Sequence, residues 1–280
     1  MRTEPAPDGG AVPAPTGRRR PSAFRIGGSI TPRAYVATSA LAFATFVAGW
    51  LLVRTLNLAD EQFLPGPLEV LARLGRLASD GTLWADVAVS LWRITAGFML
   101  ATVLALPIGV LIGTYRFAEA LIEPFIDFVR YMPVVGFVPL TIVWIGVDDW
   151  QKFSIVFIGT FFQEVLMVMD GVKRVPLELV NIGRTLGIRD AGILARIVVP
   201  SAAPAIWDTL RICLGWAWTW VVLAELVAAT SGLGYRINAA QKFFNTDTII
   251  GYLIVLGVLG LATDQTMKAL GRVFFRWAER

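Results

Sequence analysis

Apolar stretches of bilayer length, separated by short charged segments, dominate the pattern of this chain. Spanning the hydrocarbon core of a membrane takes about 20 mostly apolar helical residues. Residues 34–53 and 94–114 contain no charge at all, and 131–147 and 248–263 are shorter uncharged runs whose flanks extend them. Two further runs, 153–169 and 207–228, are interrupted by acids, Glu164 in the first and Glu225 deep in the second. Six membrane-spanning helices in an all-α fold are therefore predicted. Between the first two, residues 65–86 place Leu68, Leu71, Leu74 and Leu77 at spacings of three among Glu69, Arg73 and Arg76. That spacing predicts an amphipathic helix at the membrane surface. Pro107, Pro133 and Pro139 fall inside the second and third spans and are expected to kink them. Gly109 and Gly113 form one small-xxx-small face, read as local packing.

Composition places the same chain firmly in a bilayer: 56% hydrophobic residues, 16% charged and a mean hydropathy of +0.64. Cys213 is the single cysteine and there is no histidine. An internal disulfide framework, a multi-cysteine metal site, a zinc-hydrolase centre and a His-assisted nucleophile are thereby excluded. Cys213 itself reads as a small buried apolar residue, and neither a catalytic nor a metal-binding set of residues is expected. Residues 1–33 are rich in Pro, Gly and Arg, include Arg18-Arg19-Arg20, and read as a disordered tail. A twin-arginine export signal is the alternative. The apolar run that follows is of transmembrane length, longer than a signal core, and predicts a retained, uncleaved first helix.

Lys and Arg cluster in 1–33, 115–120, 171–206 and after residue 264, whereas the alternate connections carry few. Cationic loops stay on the cytoplasmic side, so both termini are expected there. The net charge of +4 is then a consequence of membrane orientation and calls for no nucleic-acid partner.

The longest polar insertion among the spans, 173–205, falls on that cytoplasmic side. Pro176 suits a helix start and Gly187 a helix stop. A second short helix is expected from Asp190, as its cap, towards Pro200. Two short helices meeting at a glycine turn would form a knob able to dock into a soluble partner, with Arg184, Arg189 and Arg196 placed to pair with acids.

Here the chain resembles the membrane-permease subunits of binding-protein-dependent ABC importers. Their signature is Glu-Ala-Ala, three residues, Gly, nine residues, then Ile-x-Leu-Pro. The slots are filled by Asn181-Ile182-Gly183, Gly187 and Ile197-Val198-Val199-Pro200. The spacing fits throughout, but Asn181 stands where the family has an acid; Glu178, one helical turn earlier, presents a carboxylate on nearly the same face. Further segments look like the nitrate, sulfonate, taurine and bicarbonate branch. They are Phe63-Leu64-Pro65-Gly66-Pro67, Arg130-Tyr131-Met132-Pro133, Gly215-Trp216-Ala217-Trp218-Thr219-Trp220, Ala224-Glu225-Leu226-Val227-Ala228-Ala229 and Ser231-Gly232-Leu233-Gly234-Tyr235, with the Thr246-Asp247 pair.

The resemblance implies a type I importer permease domain over 34–280, in a bacterial inner membrane, with a coupling segment at about 176–200. It implies a second permease copy, two cytoplasmic ABC ATPases and a periplasmic or lipid-anchored solute-binding protein. The coupling residues would be Glu178, Asn181, Gly183, Arg184, Gly187, Arg189, Ile197 and Pro200. No Gly-x-x-x-x-Gly-Lys-Ser/Thr loop occurs in the chain, so ATP and magnesium belong on the partner ATPase.

Polar groups inside spans are costly and mark pathways or gates. Arg130, Gln163, Glu164 and Glu225 are the candidates. Asp127 and Arg130, one turn apart, can neutralise each other. Glu225 stands equally as a gate or inter-helix bond and as a contact with the solute; an acid lining an anion's path would repel it. Trp216, Trp218 and Trp220 are read as unable to share one helical face, hence as packing against lipid and neighbouring helices. The rival to an ATP-driven permease is a secondary transporter driven by an ion gradient through Glu164 and Glu225; an intramembrane enzyme lacks a paired catalytic constellation.

Overall fold

The computed structural model describes residues 30–58 and 60–278. The tail expected over 1–33 lies outside the described residues as far as residue 29. Every regular element among the described residues is a helix. The chain divides into two compact units, 1–56 and 57–280.

The first unit carries α1 (Pro32–Thr55). Pro32 occupies the first turn, where no backbone donor is needed, and the Thr31 hydroxyl accepts the Ala34 N–H at 3.3 Å. Its 24 residues extend about 36 Å. No residue of α1 is buried by protein, as suits a helix that is apolar on all sides and takes lipid as its solvent.

The second unit opens with α2 (Pro67–Ser79), where the Gly66 N–H donates to Glu69 at 2.8 Å. The leucine stripe expected here is split. Val70 and Leu77 are buried while Leu68 and Leu71 are exposed, because steps of three drift around a 3.6-residue helix and put Leu68 opposite Leu77. Nor does the helix reach residue 86. Gly81, at φ +82°, turns the chain, and the Thr82 N–H donating to Asp80 at 2.9 Å starts α3 (Thr82–Thr114) and holds the Asp80 carboxyl below its usual pKa. The 33 residues of α3 run about 50 Å.

The face of α3 towards α6 (Asp149–Lys173) is built of small residues four apart: Gly97, Ala101, Ala105, Gly109 and Gly113. A Cβ added at Gly97, Gly109 or Gly113 would stand 2.7–2.8 Å from Val156, Val168 and Val172 in turn. The pair read from the sequence is the end of a longer seam. Pro107 lies within α3 without ending it.

The third span departs furthest from expectation. It is a pair of helices, α4 (Arg116–Arg130) and α5 (Val134–Ile145), bent by 93° at Tyr131-Met132-Pro133. Proline disfavours the helical conformation in the residue before it, and at Pro133 the helix breaks where a kink was expected, whereas Pro139 sits inside α5. With 12 residues α5 extends about 18 Å, short of a bilayer, and the charged, amphipathic α4 runs nearly at right angles to it. Among the described residues five helices are long and apolar enough to span, or six elements if the bent pair counts as one.

After α6 comes the short α7 (Leu177–Thr185). The second short helix of the expected knob is instead the start of a long one: α8 (Asp190–Ile193), a π-helical turn at Leu194–Val198 and α9 (Val199–Ala228) run on as one 39-residue helix. Asp190 is its first residue, not its cap, which is Arg189. Pro200 does not stop it. In the π turn the Val199 N–H reaches back to the Leu194 carbonyl, and this wider turn accommodates a ring that would crowd the carbonyl four residues earlier. The chain closes with α10 (Leu233–Lys242) and α11 (Thr246–Phe274). The core lies among α3, α6 and α9 and includes the fully buried Cys213.

Candidate functional site

The coupling segment is built around a glycine. Gly187, at φ +72°, follows the end of α7; its N–H donates to the Arg184 carbonyl at 2.9 Å and the Ile188 N–H to the Gly183 carbonyl at 3.0 Å. This paired reversal closes the orphaned carbonyls of the last turn and needs a left-handed residue at its centre. Gly183 is buried under α8 and the π turn, where an added Cβ would meet Ile197 at 2.8 Å and Ile193 at 3.1 Å. So the second small slot of the motif and its isoleucine touch across the knob. Glu178, Asn181, Arg184, Gly187, Arg189 and Pro200 are exposed, beside the exposed Leu177, Ile182 and Leu186. Glu178, Arg184 and Arg189 form no ion pair with any described residue. The result is a charged and apolar surface on a rigid turn.

A second feature sits at the break between α4 and α5. A cavity of about 490 Å³ is lined there by Arg130, Tyr131, Pro133, Gln163, Trp216 and Trp220 among others. Arg130 pairs with Asp127 at 2.7 Å, donates to the Tyr131 hydroxyl at 3.0 Å and lies 4.4 Å above that ring. The three rings do not share one helical face, as expected: Trp218 turns away, buried and donating to Thr263 at 3.2 Å, while Trp216 and Trp220, four residues apart, lie on one face and line this cavity. The cavity brings together two of the four intramembrane candidates, Arg130 and Gln163.

Glu164 and Glu225 lie elsewhere, both fully buried. Glu164 has no charged or backbone partner among the described residues; only the Thr102 hydroxyl lies beside it, without a well-formed hydrogen bond. Glu225 is the opposite case. It accepts from the Ser90 hydroxyl at 2.8 and 2.9 Å, from Arg93 at 3.0 Å and from the Gly234 N–H at 2.9 Å. Arg93 in turn pairs with Asp149 at 2.8 Å and donates to the Ser231 carbonyl at 2.6 Å. Beside it, Asp86 accepts from Arg236 at 2.8 Å, from the Tyr252 hydroxyl at 2.8 Å and from the Gly232 N–H at 3.2 Å; the first of these bonds raises the Arg236 pKa above its ordinary value. Two buried carboxylates thus bolt the turn between α9 and α10 to α3, α6 and α11. Sequence reasoning passed over Asp86, Ser90, Arg93, Arg236 and Tyr252. A signal existed: Asp86, Ser90 and Arg93, spaced four and three, make one polar helical face leading into Gly97. Lys152 is buried at the start of α6, where its ammonium donates to the Val147 and Asp148 carbonyls.

Long apolar helices, a broken helix pair beside a largely apolar cavity that holds one arginine, and an exposed helix–turn fit a multi-pass membrane permease. The chain belongs to the family described as "Binding-protein-dependent transport system inner membrane component", whose family model matches residues 105–276. It is 42% identical over 240 residues to an ABC transporter permease protein of Brucella abortus (strain 2308), covering 86% of this chain and 95% of that one. The taurine transport system permease protein TauC of Escherichia coli (strain K12) is 31% identical over 84% of this chain and 87% of its own. The bicarbonate transport system permease protein CmpB of Synechococcus elongatus is 29% identical over 82% and 87%. An inward-facing structure of the MetNI methionine ABC transporter has the same fold, with a TM-score of 0.62 at 20% identity over 68% of this chain and 96% of that one. The protein is thus an inner-membrane permease subunit of an ABC importer, of the nitrate, sulfonate, taurine and bicarbonate branch.

Proposed function

We propose that this permease carries a small anion of the sulfonate, taurine, nitrate or bicarbonate type from periplasm to cytoplasm. It acts as one half of a homodimer whose α7 knobs each seat a cytoplasmic ABC ATPase. Both termini face the cytoplasm, in keeping with the Lys and Arg bias. ATP and magnesium are held by the ATPases, and a periplasmic or lipid-anchored binding protein delivers the solute. ATP binding draws the knobs together and opens the pathway outward; hydrolysis resets it.

The observation that carries this reading is the α7 turn: Gly187 presents Glu178, Arg184 and Arg189 with no ion-pair partner among the described residues, beside exposed leucine and isoleucine side chains. Such a surface suits a soluble partner. Anion passage is supported by the cavity at the broken span. Discontinuous helices mark binding sites in transporters, and among the cavity's lining residues Arg130 is the one charge. Glu164 and Glu225 point to structural roles, because both are enclosed by protein and neither lines that cavity.

The test is uptake into proteoliposomes holding the permease with its ATPase and binding protein, with taurine, an alkanesulfonate, nitrate and bicarbonate as solutes. Uptake of at least one anion is expected with ATP and without any ion gradient. Uptake by this chain alone under a proton or sodium gradient would instead establish the secondary-transporter reading.

A further inference from the structure

We propose that the groove between α9 and the end of α11 binds the phosphate headgroup of an anionic phospholipid. A cavity of about 610 Å³ opens there, lined by Trp207, Asp208, Arg211, Lys268, Arg272 and Phe275 among others. The uncharged run of α11 ends at residue 263, and beyond it Asp264, Lys268, Arg272 and Arg276 recur every fourth residue, which lays one charged stripe along the helix.

The charges do not cancel. Asp264 is shared between Arg211, at 3.2 Å, and Lys268, at 2.7 Å, and Asp208 lies 3.5 Å from the Arg211 Nε. Arg272 has no ion-pair partner among the described residues, so three cations face two carboxylates. An anion with several acceptor oxygens, held by Lys268 and Arg272, would supply the missing charge.

The surroundings favour a lipid as its carrier. Trp207 donates its indole N–H to the Met267 carbonyl at 2.8 Å and stacks edge-on against Phe274 at 5.5 Å and Phe275 at 6.0 Å. Its ring lies against Gly271, where an added Cβ would stand 2.8 Å from the indole nitrogen. Aromatic clusters beside Lys and Arg at the end of a span mark the headgroup level of a bilayer, and basic pockets between spanning helices take anionic headgroups. Leu270, Val273 and Phe274 are exposed on the other side of α11, an apolar surface for acyl chains.

The experiment is native mass spectrometry of the full-length protein, purified with its accompanying subunits and supplied with dioleoyl phosphatidylglycerol, with dioleoyl phosphatidylcholine, or with phosphatidylglycerol in the presence of millimolar inorganic phosphate. Phosphatidylglycerol should be retained over phosphatidylcholine, and each of the exposed-site variants Lys268→Gln and Arg272→Gln should weaken its retention about fivefold. Lys242→Gln, the same charge loss at the far end of the bundle, should leave it unchanged. Equal retention of the two lipids, or an equal loss in Lys242→Gln, overturns the site. Displacement of phosphatidylglycerol by inorganic phosphate overturns the lipid assignment in favour of a soluble anion.

Discussion

Glu164 and Glu225 are the same residue type at the same burial, and their surroundings assign them different consequences. Glu225 is satisfied by a hydroxyl, a guanidinium and a backbone N–H. Breaking a buried pair costs up to about 3–5 kcal/mol, and the remaining bonds, from Arg93 to Asp149 and from Ser90 and Gly234 to Glu225, soften that loss. Arg93→Gln and Glu225→Gln should each lower the thermal unfolding midpoint of the detergent-solubilised protein, and the double variant should lose less than the sum; strict additivity would show that the two do not interact. Glu164 has no such partner. Burying an unpaired acid costs stability, so Glu164→Gln is expected to unfold at the same temperature or higher and to keep uptake intact. A folded Glu164→Gln protein without uptake would put that residue on the solute path. Both acids stood out in the sequence as interruptions of apolar runs. Their environments did not, because Ser90 and Arg93 lie more than 130 positions before Glu225 and only folding brings them together.

At the level of elements, the seam between α3 and α6 and the break at Pro133 set the architecture. Gly109→Val would drive a branched side chain into Val168 and the Val165 carbonyl, and overpacking of that kind costs about 1–3 kcal/mol. The measurable outcome is a lower yield of folded protein and a lower unfolding midpoint, whereas the same change at Gly257, which has open space beside it, should have little effect. The spans themselves could be read from hydropathy because lipid demands long uncharged runs. The third span could not. An uncharged window finds α5 but not α4, whose charges lie on one side of an amphipathic helix, and a proline in sequence does not say whether it bends a helix or ends it. The knob shows the converse: Pro176 and Gly187 mark the limits of α7 because capping chemistry is local, while the fusion of the following turn with α9 depends on a π turn that no local signal announces.

For the whole molecule, family motifs reach further than periodicity does. The spacing from Asn181 to Pro200 and the residues around Arg130 and Glu225 pointed to an importer permease and its branch. Hydropathy alone would have stopped at a six-span membrane protein. Orientation is open to direct measurement, because Cys213 is buried and contributes no background labelling. Arg189→Cys, on the knob, should react with a membrane-impermeant maleimide only after cells are permeabilised, and Lys242→Cys should react in intact spheroplasts; the reverse pattern would invert the topology.

The central claim, that the turn at Gly187 carries ATPase action into the membrane, is met most directly by Gly187→Val in the reconstituted complex. A branched residue at φ +72° is strained and would deform the docking surface while leaving the spans untouched. The account predicts a folded permease that no longer co-purifies with its ATPase and shows no ATP-driven uptake. Retention of both in the Gly187→Val protein would contradict it.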